Sequence, residues 1–578
     1  MRVGRFIVVA ALLIAAPAAV EPPASAQRPE ADLCAVPPGA QPLLPAKLLP
    51  GMGRTSMPVT TRSEPARAFF NQGVSQMHSF WFIESERSFL QAAALDPDMA
   101  MAYWGISVSA AGDYRPAFQL LRDPYDGGRG TAPAAAPGDI QRTAGGAAVD
   151  PRIRAREAIA KAMSLRDRVS ARERLYIEAE AARRNPAAES GDAAHIGGLR
   201  RLVAEYPDDL EAKSMLGLAL LDGYDPVTKA PRTNTVEGTT LLHEVIATDD
   251  DHFGAHHYLI HGWEGSTTPQ KAWPSCKRYP ELVPNIPHAL HMPGHIFAQS
   301  DRIDDAIEAF AQAANNELKW LGADVLYPNG HHGHNVHFLV HSLNLEGRFR
   351  ESMERVAHLM SFKETPRERT GSSQRVAYRQ GYYSLVKTLV RFERWDLVLD
   401  GTTIPTHDKP EQHAWRTWAI GLGYAAQGRL DAARTIGDEM RRHVSRVTAT
   451  RRPLEIAALE LEATILARSG EKARGYEMFW KAADMEAALQ YTEPPAYPRP
   501  VVEALGNTAA ALGDPDVAEK AFRAALGREP GSGRAYFGLA FALRAMNRTD
   551  EALQMTAAGT RAWDRADAEL TKTVPGSK

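Results

Sequence analysis

Small and large apolar residues recur along this chain with a period of 34 residues. The clearest unit begins at Arg499 and fills positions 7, 8, 20, 24, 27 and 32 with Leu505, Gly506, Ala518, Phe522, Ala525 and Pro530. Small residues at such positions let two helices approach closely, and large apolar residues fill the space between them. No window shows sustained alternation of apolar and polar residues, so the pattern predicts paired helices and few or no strands.

The same register is found in other parts of the chain. The unit that begins at Ala66 carries Gly73, Phe89, Ala92 and Pro97, and the last unit carries Tyr536, Leu539 and Ala552. This spacing is that of the tetratricopeptide repeat (TPR), a helical hairpin that stacks on its neighbours. We therefore predict an all-α, TPR-type helical-hairpin solenoid of about eight to ten helix pairs. Length alone would suggest about four domains, and the repeat replaces them with one continuous array.

The composition of the linking segments divides the array. We expect a Pro-rich N-terminal extension after an export signal, TPR-like repeats with a flexible insertion rich in Gly, Ala and Pro, a His-rich centre, further repeats and a short tail. The corresponding ranges are 1–26 for the signal, 27–65, 66–250 with the insertion near 113–150, 251–360, 361–562 and 563–578.

The N-terminus has the pattern of a secretory signal peptide. Arg2 and Arg5 precede an apolar run over 6–16, and the small residues of 24–26 predict cleavage before Gln27. The alternative is an N-terminal membrane anchor, but the apolar run is shorter than the ~20 residues that span a bilayer. We expect a periplasmic or secreted protein with no membrane span after cleavage. Cys34 and Cys276 could pair there, which the sequence does not decide.

Composition excludes several classes of protein. The chain is 44% hydrophobic and 24% charged with a net charge of -3, which argues against a disordered chain and against a basic nucleic-acid-binding protein. Two cysteines exclude a disulfide scaffold and a four-cysteine zinc site. The unusual count is that of histidine, because 12 of the 19 histidines lie between His252 and His341.

These histidines follow the repeat register. Units that begin at Phe253, Pro287 and Gly333 carry histidine at positions 5 and 9, and the last two carry it at position 2 as well. The eight residues are His257, His261, His288, His291, His295, His334, His337 and His341. At about 100° per residue these positions share one face of the first helix of each unit, which lines the concave groove of a TPR array. We therefore expect all eight imidazoles to converge on one patch, although Pro293 could kink its helix.

Paired imidazoles one helical turn apart favour a metal. Three such pairs without thiolates suit zinc, copper, nickel or iron better than calcium or magnesium. The alternatives are a polar groove that binds an anionic or peptide ligand and changes charge near neutral pH, and structural histidines without a ligand. Glu264, three residues after His261, is the candidate catalytic base or extra ligand, and a surface carboxylate is its plainer interpretation.

Other polar and aromatic residues fall on or near the same face. These candidate ligand-contacting residues are Tyr258, Asn335, Asn344, Trp104, Tyr383, Trp415 and Trp418. The aromatic ones would extend the groove for apolar parts of a ligand, and the alternative is packing between helices. The sequence contains no His-Glu-x-x-His zinc motif, haem attachment motif, phosphate loop or dinucleotide fingerprint.

Several short segments resemble a group of exported bacterial TPR-containing proteins with a central His-rich motif set. The matching segments are 95–97 with 100–105, 256–261, 291–296, 334–338, and 493–495 with 505–506. The similarity covers most of 66–560, and the histidine motifs are its specific part; residues 123–150 depart from the usual helical spacing. The resemblance implies a TPR solenoid and supplies no reaction.

Taken together, these patterns favour an exported TPR-repeat binding protein. Its groove would use a transition-metal site to hold a peptide, a protein or a small molecule. Two alternatives stay open. One is a metal-dependent hydrolase or oxidase that uses the same histidines as ligands, and the other is a plain protein-interaction scaffold without metal.

Overall fold

A computed structural model describes residues 45–55, 57–122, 151–225, 228–323, 329–364, 376–448, 450–489 and 494–570. These residues belong to one unit that comprises 43–141 and 149–578. The predicted signal peptide, Cys34, most of the predicted insertion near 113–150 and the end of the tail lie outside the described residues. Within the described ranges the chain forms 25 α-helices, two short 3-10 turns and no strand.

The N-terminal part contains nine helices among its described residues. Their bounds are α1 Glu64–His78, α2 Phe82–Leu95, α3 Ala100–Ala111, α4 Ala117–Arg122, α5 Pro151–Leu165, α6 Ala171–Arg184, α7 Gly191–Glu205, α8 Leu210–Leu220 and α9 Thr233–Thr248. Helix α1 pairs with α2, α6 with α7, and α8 with α9.

The central part carries the predicted histidines. Its helices are α10 Phe253–Trp263, α11 Trp273–Leu282, α12 Pro287–Gln299, α13 Ile303–Ala323, α14 Gly330–Leu345 and α15 Phe349–Ser361. The segment between α10 and α12 contains a 3-10 turn and helix α11. Helix α11 packs against both α10 and α12. Helix α12 continues through Pro293.

The C-terminal part continues the hairpins. Its helices are α16 Ala377–Arg391, α17 Trp395–Val398, α18 Pro410–Ala426, α19 Leu430–Val444, α20 Arg451–Arg468, α21 Lys472–Ala487, α22 Val501–Ala511, α23 Pro515–Arg528, α24 Gly533–Ala545 and α25 Thr549–Ala562. From α18 onward each odd-numbered helix packs against the helix before it. No described helix is long and apolar enough to cross a membrane.

One contact recurs in several of the 34-residue units. A glycine at position 8 of the unit, in its first helix, lies against a phenylalanine at position 24, in its second helix. A Cβ on Gly506 would lie 2.7 Å from the ring of Phe522, and one on Gly294 would lie 2.5 Å from the ring of Phe310. Gly73 and Phe89 repeat this contact. The histidine-bearing helix α12 makes this contact too. The repeat positions that align the histidines therefore also determine how the two helices of a hairpin pack. The predicted all-α helical-hairpin solenoid is confirmed.

Candidate metal centre

Six of the eight predicted histidines form two groups. The first histidine group consists of His257 and His261 on α10 with His288 on α12, and the second consists of His291 and His295 on α12 with His334 on α14. In each group one nitrogen from every ring lies within 4.8 Å of the others. Among the described residues these are the groups of three that could hold a metal ion.

Both groups have the same origin in the repeat. Each takes positions 5 and 9 from one unit and position 2 from the next unit. The fourth-neighbour spacing places the first two rings on one helix face, and side-by-side packing of consecutive first helices brings the third ring to them. The sequence contained this signal, although it predicts one patch of eight rings rather than two groups of three.

The facing atoms are the Nε2 nitrogens. In the first group Nε2 of His257 lies 3.1 Å from Nε2 of His261 and 3.1 Å from Nε2 of His288. In the second group Nε2 of His295 lies 2.6 Å from Nε2 of His291. Two nitrogens on a tetrahedral zinc ion, with bonds of ~2.0–2.1 Å, are about 3.3 Å apart. The first group therefore has the spacing of a bound ion's ligands.

Glu264 connects the two groups through the Nδ1 atoms of their rings. It follows α10 directly, and its side chain is fully buried. One carboxylate oxygen accepts a hydrogen bond from Nδ1 of His261, and the other accepts one from Nδ1 of His295, each at 2.8 Å. Gln119 Nε2 lies farther from the same nitrogen of His261, at 3.3 Å. Glu264 is thus neither a surface carboxylate nor a group that faces the converging Nε2 atoms.

The partners of the Nδ1 atoms fix the tautomer of three rings. Nδ1 of His257 lies 2.5 Å from the backbone carbonyl of His78, and a carbonyl or carboxylate oxygen can only accept a hydrogen bond. His257, His261 and His295 therefore carry their hydrogen on Nδ1 when neutral, which leaves a lone pair on Nε2. This arrangement, in which the far nitrogen is held by an acceptor, is that of metal-binding histidines.

Burial favours the neutral form of three of these rings. Burial lowers the pKa of His257, His288 and His291 well below the ordinary histidine value, and the neighbouring imidazoles lower it further. Burial alone would raise the pKa of Glu264, but the charge and hydrogen bonds of His261 and His295 hold that pKa well below its usual range. Neutral imidazole is the form in which histidine binds metals, so the environment of His257, His288 and His291 favours that form.

Aromatic rings wall each group. The ring of Phe80 lies 4.5 Å from that of His257, and it stacks on His261 at 5.4 Å. Phe338 lies 4.5 Å from His295 in the second group. Phe80 has a φ of 52°, a left-handed conformation that is rare for an aromatic residue. No signal in the sequence connects Phe80, or the carbonyl of His78, with α10, because about 180 residues separate them.

The two groups open on one side. His288 and His334, which supply position 2, are half-buried, whereas the other four histidines are buried. His331 lies between these two, with ring centroids 5.9 Å from His288 and 6.1 Å from His334, and its side chain is 39% exposed. Nδ1 of His331 lies 3.4 Å from the buried carboxylate of Glu317.

The remaining pair, His337 and His341, belongs to neither group. Lys387 lies against this pair, with its Nζ 3.4 Å from Nε2 of His337. Position 2 of the following unit is Gln380 instead of histidine. Burial lowers the pKa of both histidines well below the ordinary value, and the charge of Lys387 adds to this effect. The expectation that all eight rings converge on one patch is therefore wrong for His337 and His341.

Most of the other candidate groove residues are buried. Trp104 packs against Tyr176, and Trp418 is fully buried beside Trp415, so these three tryptophans are core residues. The buried polar candidates are Tyr258, Asn335 and Asn344. Tyr258 bonds to the ring of His78, and Asn344 donates to Thr388.

Tyr383 is half-buried, and its hydroxyl donates to the carbonyl of Ala496. Among the aromatic candidates, Tyr383 is therefore the one with a partly exposed side chain. The ring of Tyr176 lies against Trp104, and the ring of Tyr497 lies against both Trp415 and Trp418, so the tryptophans do not face an open groove.

Comparison with known proteins supports the repeat. The family described as tetratricopeptide repeat matches residues 509–569. A search of curated proteins gives no match. Two similar solved structures are yeast Tom70 and the human IFIT1 dimer with m7Gppp-AAAA. The first is 11% identical with a TM-score of 0.27 and covers 89% of this chain and 92% of Tom70. The second is 10% identical with a TM-score of 0.34 and covers 87% and 91%. The family match lies within the C-terminal helical hairpins, and it supports TPR-type repeats in that part of the chain.

Proposed function

We propose that this chain is an exported TPR-repeat protein whose two histidine groups each bind one transition-metal ion. The observation that carries the proposal is the direction of the rings. Nδ1 of His261 and of His295 both donate to Glu264, so that their Nε2 lone pairs face the other rings of their groups. Buried lone pairs that face one another repel unless a cation lies between them.

The ligand set favours a particular class of ion. Imidazole alone suits zinc, copper, nickel or iron, whereas calcium and magnesium prefer oxygen ligands. Three protein ligands leave a coordination position open in each group. Because His288 and His334 lie at the more exposed side, an external ligand would reach the ions from there.

The scaffold suggests what the ions are for. TPR arrays act as protein-interaction scaffolds, and the open coordination positions would anchor a peptide, a protein or a small molecule on the face of α10, α12 and α14. Export is supported by the N-terminal sequence pattern.

A metal-dependent enzyme is the second candidate. The observation in its favour is the pair formed by His331 and the buried carboxylate of Glu317, which lies at the opening between the two groups. A hydrolase or oxidase would need such a group beside an open metal position. Metal-dependent turnover that is lost in His331→Ala, while the bound metal is retained, would favour the enzyme over the binding protein.

Metal content tests the proposal. The purified mature protein would be stripped with chelator, loaded in turn with zinc, copper, nickel and iron, dialysed and assayed by elemental analysis. We expect about two ions per chain in the native protein and about one in either His257→Ala or His291→Ala. His413→Ala is the matched control, because His413 stacks on His443 on other helices and lies in neither group.

Two outcomes would contradict the proposal. One is the absence of stoichiometric metal in the native protein after loading with every ion. The other is unchanged metal content in both single variants. Because His257 and His291 are fully buried, their variants would be checked by circular dichroism. His288→Ala and His334→Ala, which change half-buried residues, provide a second pair with the same expectation.

A further inference from the structure

A second candidate site lies far along the chain from the histidines. Helices α18, α20, α22 and α24 form one wall of a cavity of about 210 Å³, and α17 and α23 contribute to its rim. The cavity therefore suits a small molecule or the end of a chain.

One end of this cavity carries three guanidinium groups. Arg499 is 7% exposed and donates from Nη2 to Glu460, while its Nη1 has no hydrogen-bond partner among the described residues. The side chain of Arg534 is 10% exposed and pairs with Glu393, while its Nε is buried without a hydrogen bond. Both line the cavity. Two buried arginines thus keep donors free at the cavity wall.

Arg468 also lines the cavity, and none of the described carboxylates forms an ion pair with it. It is the last residue of α20, half-buried, and its Nε has no partner among the described residues. Glu460 is taken by Arg499 and Tyr497, and Glu393 by Arg534 and Asn507. Of the next carboxylates, Glu529 binds Arg391, and Glu503 binds Arg391 and also lies 3.7 Å from Nε of Arg534. Burial lowers the pKa of Arg468, and the negative charge of Glu393 opposes this effect only in part.

The other end of the cavity is apolar. Leu422 and Phe522 are buried in its wall, and Trp395 and Phe541 lie at the rim. Phe541 is 38% exposed, which is unusual for a phenylalanine. Three arginines and two glutamates, Glu393 and Glu460, line the cavity, so its lining combines one excess positive charge with an apolar surface. A ligand with a single negative charge and a short apolar body matches both ends.

We propose that this cavity binds an organic carboxylate, whose charged group is held by Arg468, Arg499 and Arg534 and whose apolar part lies against Phe541. A free carboxylic acid and the C-terminal end of an apolar peptide share this chemistry. A guanidinium group binds a carboxylate in a planar, two-bond geometry, and this adds to the charge attraction.

Calorimetric titration with small probes tests the proposal. Hexanoate carries both parts, hexanamide lacks the charge, and acetate lacks the apolar body. We expect hexanoate to bind at least ten-fold more tightly than either. Arg468→Met is expected to weaken hexanoate at least ten-fold, and Arg468→Lys to weaken it less. Arg474→Met is the control, because Arg474 is 64% exposed and pairs with Glu471 away from the cavity.

The thermal midpoint without ligand provides an independent readout. Because Arg468 forms no ion pair with the described residues, Arg468→Met should melt at the same temperature as the native protein or higher, so that loss of binding cannot be ascribed to unfolding. Equal binding of hexanoate and hexanamide, or full binding by Arg468→Met, would overturn the proposal. So would acetate or inorganic phosphate that binds as well as hexanoate, because the cavity would then select any anion. A short apolar peptide and its C-terminal amide would distinguish a chain end from a free acid.

Discussion

The Nε2 atoms of His257 and His261 face each other at 3.1 Å, while the Nδ1 atoms of both rings donate to fixed acceptors. Neutral rings in this state have two lone pairs in contact and no hydrogen between them. One proton or one metal ion between the two nitrogens removes this repulsion. Under the proposed function a metal ion takes that place, and the residues around the two groups provide tests of the proposal.

Glu264 orients both groups, so its change should affect both ions. Glu264→Gln keeps the size of the side chain but replaces one acceptor oxygen with a donor, and it can no longer accept from His261 and His295 at once. We expect metal affinity to fall about 10–100-fold in both groups, which is the usual effect of losing such a partner. Competition with a chelator measures the affinities. Glu281→Gln, on the surface of α11, is the control, and native affinity in Glu264→Gln would refute its positioning role.

Substitutions at Phe80 test whether the backbone conformation of this residue is strained. Its φ of 52° is unfavourable for any side chain with a Cβ and free for glycine. Phe80→Ala and Phe80→Gly remove the same ring contacts, but only the glycine variant relieves the backbone. We expect Phe80→Gly to be more stable than Phe80→Ala by about 1 kcal/mol in chemical denaturation. The opposite order would show that the backbone conformation is not strained.

His195 gives the protein a pH dependence that is independent of metal. Burial lowers the pKa of His195 to about 4, and the positive charge of Arg183 adds to this effect. In the unfolded chain the pKa is about 6.5, so between pH 6.5 and 4 the unfolded state binds the proton and the folded state does not. The stabilisation present above pH 6.5 is therefore lost as the pH falls, by about 3 kcal/mol at most.

Urea denaturation of the metal-free protein at pH 7.5 and pH 5.0 measures this effect. The difference in unfolding free energy between the two pH values should be smaller in His195→Gln than in the native protein, in which Nδ1 of His195 lies 3.2 Å from the carbonyl of Ala179. An identical pH dependence in both proteins would mean that His195 titrates normally in the folded state.

The close approach of helices α12 and α13 can be tested at Gly294. A methyl group there would lie 2.5 Å from the Phe310 ring, so Gly294→Ala forces α12 away from α13. We expect a loss of about 1–3 kcal/mol, the usual cost of overpacking. Gly322→Ala is a matched control in the adjacent helix α13, because nothing lies within 4 Å of its added methyl group. It should be neutral or stabilising by up to about 1 kcal/mol. Equal effects of the two changes would contradict the close approach at Gly294.

The sequence predicts the fold well because a hairpin repeat is a local pattern. Gly506 and Phe522 lie in one unit, and their spacing alone indicates two packed helices. The histidine face could be predicted for the same reason. Two features could not be. The division of the histidines into two groups depends on how far one hairpin is shifted against the next. The burial of Trp104 and Trp418 involves rings from later parts of the chain, Tyr176 and Tyr497, which no single unit encodes.

Long-range partners also could not be predicted. Glu264 is three residues from His261, so its contact with that ring was accessible, but its second bond to His295 requires the packing of α10 on α12. Phe80 and the carbonyl of His78 reach the first group from the other end of the N-terminal repeats. The repeat period contains no information on such contacts.

The most direct test is an anomalous difference map from crystals of the metal-loaded protein, measured at the absorption edge of the bound metal. We expect two peaks per chain. One should lie at about 2.0–2.1 Å from ring nitrogens of His257, His261 and His288, and the other at that distance from His291, His295 and His334. No peak at either group, or a peak at His337 and His341 instead, would contradict the central claim that these six histidines hold two transition-metal ions.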